Sequence, residues 1–206
     1  MSAIARKSYA YSLSSALAEG FGANARKVAI LLNELGVDWK GEAVPRNEVR
    51  TSSEYVLLHP DRKVPVLKDG ETTLIESAAI MQYLAEVYGS GKFLESKYDA
   101  LAWVSLQNGL SSAVASLAHA DDESQTEKAI NNARHYLGLL ENKLASSKSG
   151  YILDTGYTIA DIAWIAFLDE RRKEKLRLGS WDQFPNIAKW QKKVLARPAV
   201  AKAYEN

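Results

Sequence analysis

KVPVLKDGETTLIESAAIMQYLAEV, residues 63–87, changes its hydrophobic period part-way along, and that change decides the fold. Val64, Val66 and Leu67 on one side and Leu74 and Ile75 on the other flank Asp69-Gly70, a strong hairpin signal because glycine supplies the positive φ of a tight turn. Residues 63–68 and 72–75 are therefore expected as antiparallel strands. Pro65 has no N–H to give a ladder, so it belongs at a strand start or edge. Beyond Glu76-Ser77 the spacing becomes helical, with Ile80, Tyr83, Leu84 and Val87 on one face and a stop at Gly89-Ser-Gly91.

Upstream, residues 8–13 (SYAYSL) read as an aromatic-rich first strand, and residues 14–23 as a Ser- and Gly-bearing connector. Val28, Leu31, Leu32 and Leu35 then recur at i, i+3, i+4 and i+7. The spacing predicts a helix capped by Asn24 and stopped by Gly36. Residues 39–44 read as a strand ended by Pro45, and 46–53 as a polar loop. A strand–helix–strand unit followed by a hairpin and helix predicts a mixed four-stranded sheet with helices packed on it.

After Gly91 strand signals vanish. Trp103, Leu106, Leu110, Val114 and Leu117 form one helical stripe; Ile130, Ala133, Leu137, Leu140 and Leu144 form another. A long helix over 159–178 and another over 187–196, closed by Arg197-Pro198, complete the chain. The expected domains are 1–90, α/β, and 91–206, all-helical. Thr158-x-x-Asp161 has capping-box spacing, with Tyr157 and Ile162 placed as a hydrophobic staple; capping alone makes Asp161→Ala cost about 1 kcal/mol.

Composition narrows the chemistry. Among 206 residues, 26 Lys and Arg balance 25 Asp and Glu, which supports neither a nucleic-acid surface nor a polybasic membrane patch. The chain has no cysteine, so no protein thiol serves as nucleophile or metal ligand. His59, His119 and His135 lie too far apart in sequence for a metal motif, and no metal is expected. With no signal-peptide core and no membrane-length apolar run, the expectation is a soluble, cytoplasmic protein.

Three segments together resemble the cytosolic glutathione transferase family: Val64-Pro65-Val66-Leu67 with Leu74-Ile75-Glu76-Ser77-Ala78-Ala79-Ile80 and Tyr83-Leu84; Tyr157-Thr158-Ile159-Ala160-Asp161-Ile162; and Phe184-Pro185-Asn186 with Trp190 and Arg197-Pro198. The resemblance implies a thioredoxin-like N-terminal domain that binds glutathione and an all-α helical-bundle domain that holds the acceptor. It implies a cis Val64–Pro65 bond, with the Val64 backbone offered to the cysteinyl part of glutathione. By the same resemblance Ser77 takes the γ-glutamyl carboxylate at a helix N-terminus, Glu76 faces the γ-glutamyl ammonium, and Lys63 reaches the glycyl carboxylate.

A thiol with a pKa near ~8.5 is only a few per cent ionised at pH 7, so a donor must stabilise the thiolate. The serine positions of Ser-type relatives fall here on Gly22 and Ala25. Asn24 stands where the bacterial Nu class and the fungal nitrogen-regulator-like transferases carry an asparagine near the sulfur, and its amide is the first candidate donor. Ser14 and Tyr11 come next, with Ser12 and Ser15 in the same stretch should the connector fold back. A hydrophobic electrophile would bind around Trp103, Gln107 and Leu110. The resemblance implies a homodimer and conjugation of glutathione. Glutathione-dependent disulfide or peroxide reduction, ether cleavage or isomerisation is the alternative within the class. A non-catalytic glutathione-binding regulatory module is the alternative outside it.

Overall fold

The computed structural model describes residues 8–14, 22–178 and 180–204. The chain divides into two compact units, Met1–Lys92 with Arg197–Asn206, and Phe93–Ala196.

In the first unit β1 (Ser8–Ser14), α1 (Ala23–Glu34) and β2 (Trp39–Pro45) form a β-α-β unit with parallel strands. Helices α2 (Arg46–Thr51) and α3 (Ser53–Leu58) follow, then β3 (Val66–Asp69), β4 (Thr72–Ile75) and α4 (Ser77–Val87). The sheet order is β2-β1-β3-β4, with β3 antiparallel to both its neighbours. This is the expected thioredoxin-like arrangement. Val28, Leu31 and Leu32 from α1 and Ile80, Met81 and Leu84 from α4 are fully buried.

Helix α1 ends in a Schellman motif. Gly36 adopts φ 64, its N–H bonds Asn33 O, and Val37 N–H bonds Leu32 O. Its start differs from expectation: Gly22 is the N-cap and Asn24 lies inside the first turn, with no side chain capping the helix. The hairpin also differs by one residue. Asp69 pairs with Thr72 inside the ladder, so the two-residue loop is Gly70-Glu71, with Gly70 at φ 58. Asp69 is freed for another task, accepting hydrogen bonds from Tyr83 and Tyr88 of the helix segment (2.8 and 2.5 Å). Burial, with the Asp69 carboxylate beside it, raises the Tyr83 phenol pKa.

The polar loop expected over 46–53 is instead helical. Ser52 caps α3 by accepting from the N–H groups of Glu54 and Tyr55, both at 3.1 Å. Val49 and Tyr55 then enter a buried cluster with Val44 and Val66. Val49 is the single apolar residue of 46–53, too little to show a helical period in a helix of six residues. On α4, Val87 is exposed where the stripe had placed it inside, and Met81 and Ala85 take the buried face with Ile80 and Leu84.

The second unit contains α5 (Lys97–Ala118), α6 (Glu123–Ala145), α7 (Ile159–Ile165), α8 (Glu170–Lys175), a 3₁₀ turn (Trp181–Gln183) and α9 (Pro185–Leu195). The α6 stripe is buried as expected. On α5 the fully buried side is Ala100, Val104, Gln107, Leu110 and Ala113, while Trp103, Leu106, Val114 and Leu117 are only half-buried. Leu110 is the one residue shared with the expected stripe; the rest of the buried side, two alanines, a valine and a glutamine, has no large apolar side chain to mark it. Residues 159–178 form two helices because Asp169 caps a new one, accepting from Arg172 N–H at 2.9 Å.

Helix α10 (Pro198–Lys202) returns to the first unit, although its sequence continues the helical region. Arg197 forks onto Glu34 (2.6 and 2.8 Å), Asn33 donates to Ala199 O (3.2 Å), and the Arg26 guanidinium lies 4.3 Å from the Tyr204 ring centroid.

A Cβ at Gly109 of α5 would overlap the Tyr136 ring of α6. Gly109→Ala should therefore destabilise the protein by about 1–2 kcal/mol, overpacking outweighing the gain in helix propensity. In a Tyr136→Ala background the same substitution should stabilise. Paired thermal unfolding curves check this reversal of sign.

Candidate functional site

One end of the sheet gathers the residues singled out in the sequence. Strand β3 begins at Val66, paired with Ile75, the last residue of β4. Val64-Pro65, just before β3, and Glu76-Ser77, just after β4, therefore emerge side by side. Val66 also pairs with Tyr11, so residues 12–14 of β1 run on past this same end. Helix α1 must return from the C-terminal end of β1 to the start of parallel β2. Its 12 residues span roughly 18 Å, about the length of the strands, which puts the start of α1 at this end too. Asn24 thus shares the end with Val64 and Glu76.

The Val64–Pro65 bond is cis. Among the described residues the Val64 backbone N–H and C=O make no hydrogen bond. Val64 is half-buried and Pro65 buried, so a donor and an acceptor with no partner among the described residues stand at the margin of the fold.

Glu76 is the N-cap of α4, exposed, and held at φ 65, ψ 112, a conformation that costs a residue with a side chain about 1–3 kcal/mol. Ser77, which could have served as a cap, is instead the first helical residue; it is 9% exposed, and no side chain caps the helix. The first N–H to bond within the helix is that of Ile80, to Glu76 O at 2.9 Å. The three preceding N–H groups have no partner among the described residues and lie at the positive end of the helix dipole, an arrangement suited to a carboxylate.

Lys63 is paired with Asp61, and both side chains are about two-thirds exposed. The Asp61 carboxylate raises the Lys63 pKa, with a smaller contribution from Glu76, and Lys63 lowers that of Asp61. Asn24 is half-buried in the first turn of α1, where Arg26 N–H is the first to bond back, to Gly22 O at 2.9 Å. Tyr11, Ser12 and Ser14 are described only as β1 backbone, and Ser15 with the rest of the connector, 15–21, lies outside the described residues. Of the three residues expected to line an acceptor pocket, Trp103 is half-buried and its carbonyl accepts from Trp164 Nε1 (2.9 Å); Gln107 and Leu110 are fully buried.

Two further residues at this site gave no signal in the sequence. The Tyr55 hydroxyl donates to Lys63 O at 2.8 Å, and Arg62 stands at φ 49 with Nη1 donating to Ser52 O at 2.9 Å. Tyr55 lies just beyond the 46–53 stretch, where the sequence marks no element, and a left-handed arginine has no compositional mark.

The glutathione S-transferase N-terminal domain model matches residues 20–92, and the C-terminal domain model matches residues 108–206. Glutathione S-transferase sirG of Leptosphaeria maculans is 31% identical over 203 residues, covering 88% of this chain and 84% of its own. The chain belongs to the glutathione S-transferase family. By class it is a glutathione transferase, with a thioredoxin-like unit and a helical unit. Among solved structures, the glutathione transferase URE2P6 of Phanerochaete chrysosporium, in complex with oxidized glutathione, superposes with TM-score 0.82 at 26% identity over 97% of this chain and 96% of its own. A family member from Pseudomonas fluorescens with two glutathiones bound gives 0.80 at 27% identity, covering 96% and 92%. Among the described residues, no helix is long and apolar enough to cross a membrane, and no group of three His, Asp or Glu side chains is placed to hold a metal ion.

Proposed function

We propose that the protein binds glutathione at this end of the sheet and adds its thiolate to a hydrophobic electrophile. The observation that carries this is the Val64 backbone, without a partner among the described residues, set beside an α4 N-terminus that no side chain caps and a left-handed Glu76. These are an acceptor and a donor for a peptide, donors for a carboxylate, and a carboxylate for an ammonium. The tripeptide offers all three complements. In this assignment Val64 pairs with the cysteinyl residue, Ser77 and the α4 N–H groups hold the γ-glutamyl carboxylate, Glu76 takes the γ-glutamyl ammonium, and Lys63 meets the glycyl carboxylate.

The sulfur then lies toward Asn24, whose side-chain amide donates to the thiolate, aided by the N–H groups opening α1. One such donor lowers the thiol pKa by about one unit, 1.4 kcal/mol. The Tyr11 and Ser14 hydroxyls are the alternative donors. The thiolate attacks the electrophilic carbon of the acceptor, and the C–S bond forms as the acceptor's leaving group departs with its bonding pair or as its π electrons are displaced and take up a proton. The protein works in the cytoplasm as a homodimer, in keeping with a detoxifying role.

Ultraviolet titration of bound glutathione tests the mechanism. The wild-type thiol should titrate clearly below ~8.5, and Asn24→Ala should raise its pKa by about one unit and slow conjugation at pH 7 by about tenfold. Glutathione that binds with an unshifted thiol would instead identify a non-catalytic binding module.

Relatives in complex with oxidized glutathione, or with two glutathiones, support a second reaction at the same site. There, two glutathiones reduce a disulfide substrate to two thiols and leave as the glutathione disulfide. The absence of cysteine is no obstacle, because both electrons come from glutathione.

A further inference from the structure

We infer that Tyr55 and Arg62 are positioning residues that strap the Lys63–Val64 peptide into the orientation glutathione requires. The inference rests on the role proposed for Val64.

Recognition through a backbone N–H and C=O works only if the peptide is held at a fixed angle, since a loose segment must be ordered when the ligand arrives. Val64 precedes β3, so the ladder that fixes Val66 does not reach it. Two side-chain bonds replace the ladder, and both run to α3. The Tyr55 hydroxyl donates to the carbonyl of Lys63, immediately before Val64, at 2.8 Å. Its ring is 4% exposed and belongs to a cluster against which Val64 itself packs. The Arg62 guanidinium donates to Ser52 O at 2.9 Å, and Ser52 is in turn fixed as the α3 cap.

Arg62 sits at φ 49, where glycine is at ease and arginine is not. Its own N–H closes a turn onto His59 O at 2.9 Å. A glycine would make this turn with less strain and would lack the anchor. The backbone strain at Arg62 thus accompanies a tie next to the site, and the tie gives that strain a purpose.

Two variants separate positioning from bulk stability. Tyr55→Phe keeps the buried ring and removes only the hydroxyl; Arg62→Gly suits the backbone and removes the anchor. Glutathione binding by calorimetric titration should weaken about 5–10-fold in Tyr55→Phe, the loss of one hydrogen bond acting through the peptide. Arg62→Gly should melt at the wild-type temperature or above it and still bind glutathione about threefold or more weakly. Stability and affinity moving in opposite directions is not the behaviour of a merely structural residue. Wild-type affinity in both variants, or affinity that only follows melting temperature downward, would overturn the strap while leaving the glutathione site intact. A wild-type protein that does not bind glutathione would overturn both.

Discussion

Asp161→Ala should cost about 3–5 kcal/mol, several times what a helix cap is worth. The carboxylate is fully buried and does more than complete the Thr158 capping box. One oxygen accepts from Thr158 N–H at 3.0 Å; the other accepts from Ile152 N–H at 3.0 Å and from the Trp190 indole at 2.7 Å. A single side chain therefore joins the start of α7, the segment before it and the middle of α9. Alanine leaves three buried donors without an acceptor, each at a desolvation cost of about 1–3 kcal/mol, partly relieved by relaxation. The melting temperature should fall by roughly 10 °C or more, and calorimetry measures it. A loss near 1 kcal/mol would reduce Asp161 to a cap.

Burial raises the Asp161 pKa, opposed by the Ile152, Thr158 and Trp190 donors. The native state then keeps this proton to higher pH than the unfolded chain, where the ordinary value is 3.8. Above that value the native state binds more protons, so this group's contribution to stability falls as pH rises until the folded pKa is passed. Below 3.8 the contribution is complete. Asp161→Asn cannot titrate, so the stability gap between wild type and Asp161→Asn should shrink as pH rises through the window.

Glu76→Ala should weaken glutathione binding by about 10–100-fold and leave thermal stability nearly unchanged. A charge-assisted hydrogen bond to an ammonium contributes about 1.5–3 kcal/mol. Glu76 is exposed, and alanine keeps the Cβ that makes its positive φ costly, so the folded state loses little. Lys63→Ala is the control in the same titration. Its side chain is 66% exposed and paired with Asp61, so its removal should change affinity only a few-fold. The two substitutions shift the net charge in opposite directions, so comparable losses would show that Glu76 holds no privileged place in binding.

Both expectations began as sequence motifs, and they fared differently. Glu76-Ser77 was legible as a helix start, because the signals that open α4 are contiguous in the sequence. Asp161 was legible as a cap but not as a hub, since Ile152 and Trp190 come to it from outside the motif. Asn24 was legible by its position near a helix start, although the cap itself is Gly22. Tyr55 and Arg62 were not legible at all. Tyr55 carries no periodicity, and the left-handed φ of Arg62 follows from where its neighbours are anchored.

By itself the sequence determined the elements whose signals are local: the 63–87 hairpin and helix, the α6 stripe, the Gly36 stop and the Thr158-to-Asp161 box. Short-range sterics, period and hydrogen-bond chemistry are written into adjacent residues. The tertiary structure alone decided which face of α5 is buried, why 159–178 breaks in two, and that Arg197 returns the chain to Glu34 in the first unit. It also decided that Val64, Glu76 and Asn24 share one end of the sheet. Those outcomes depend on partners distant in sequence, and burial energy is set by the partner a residue meets.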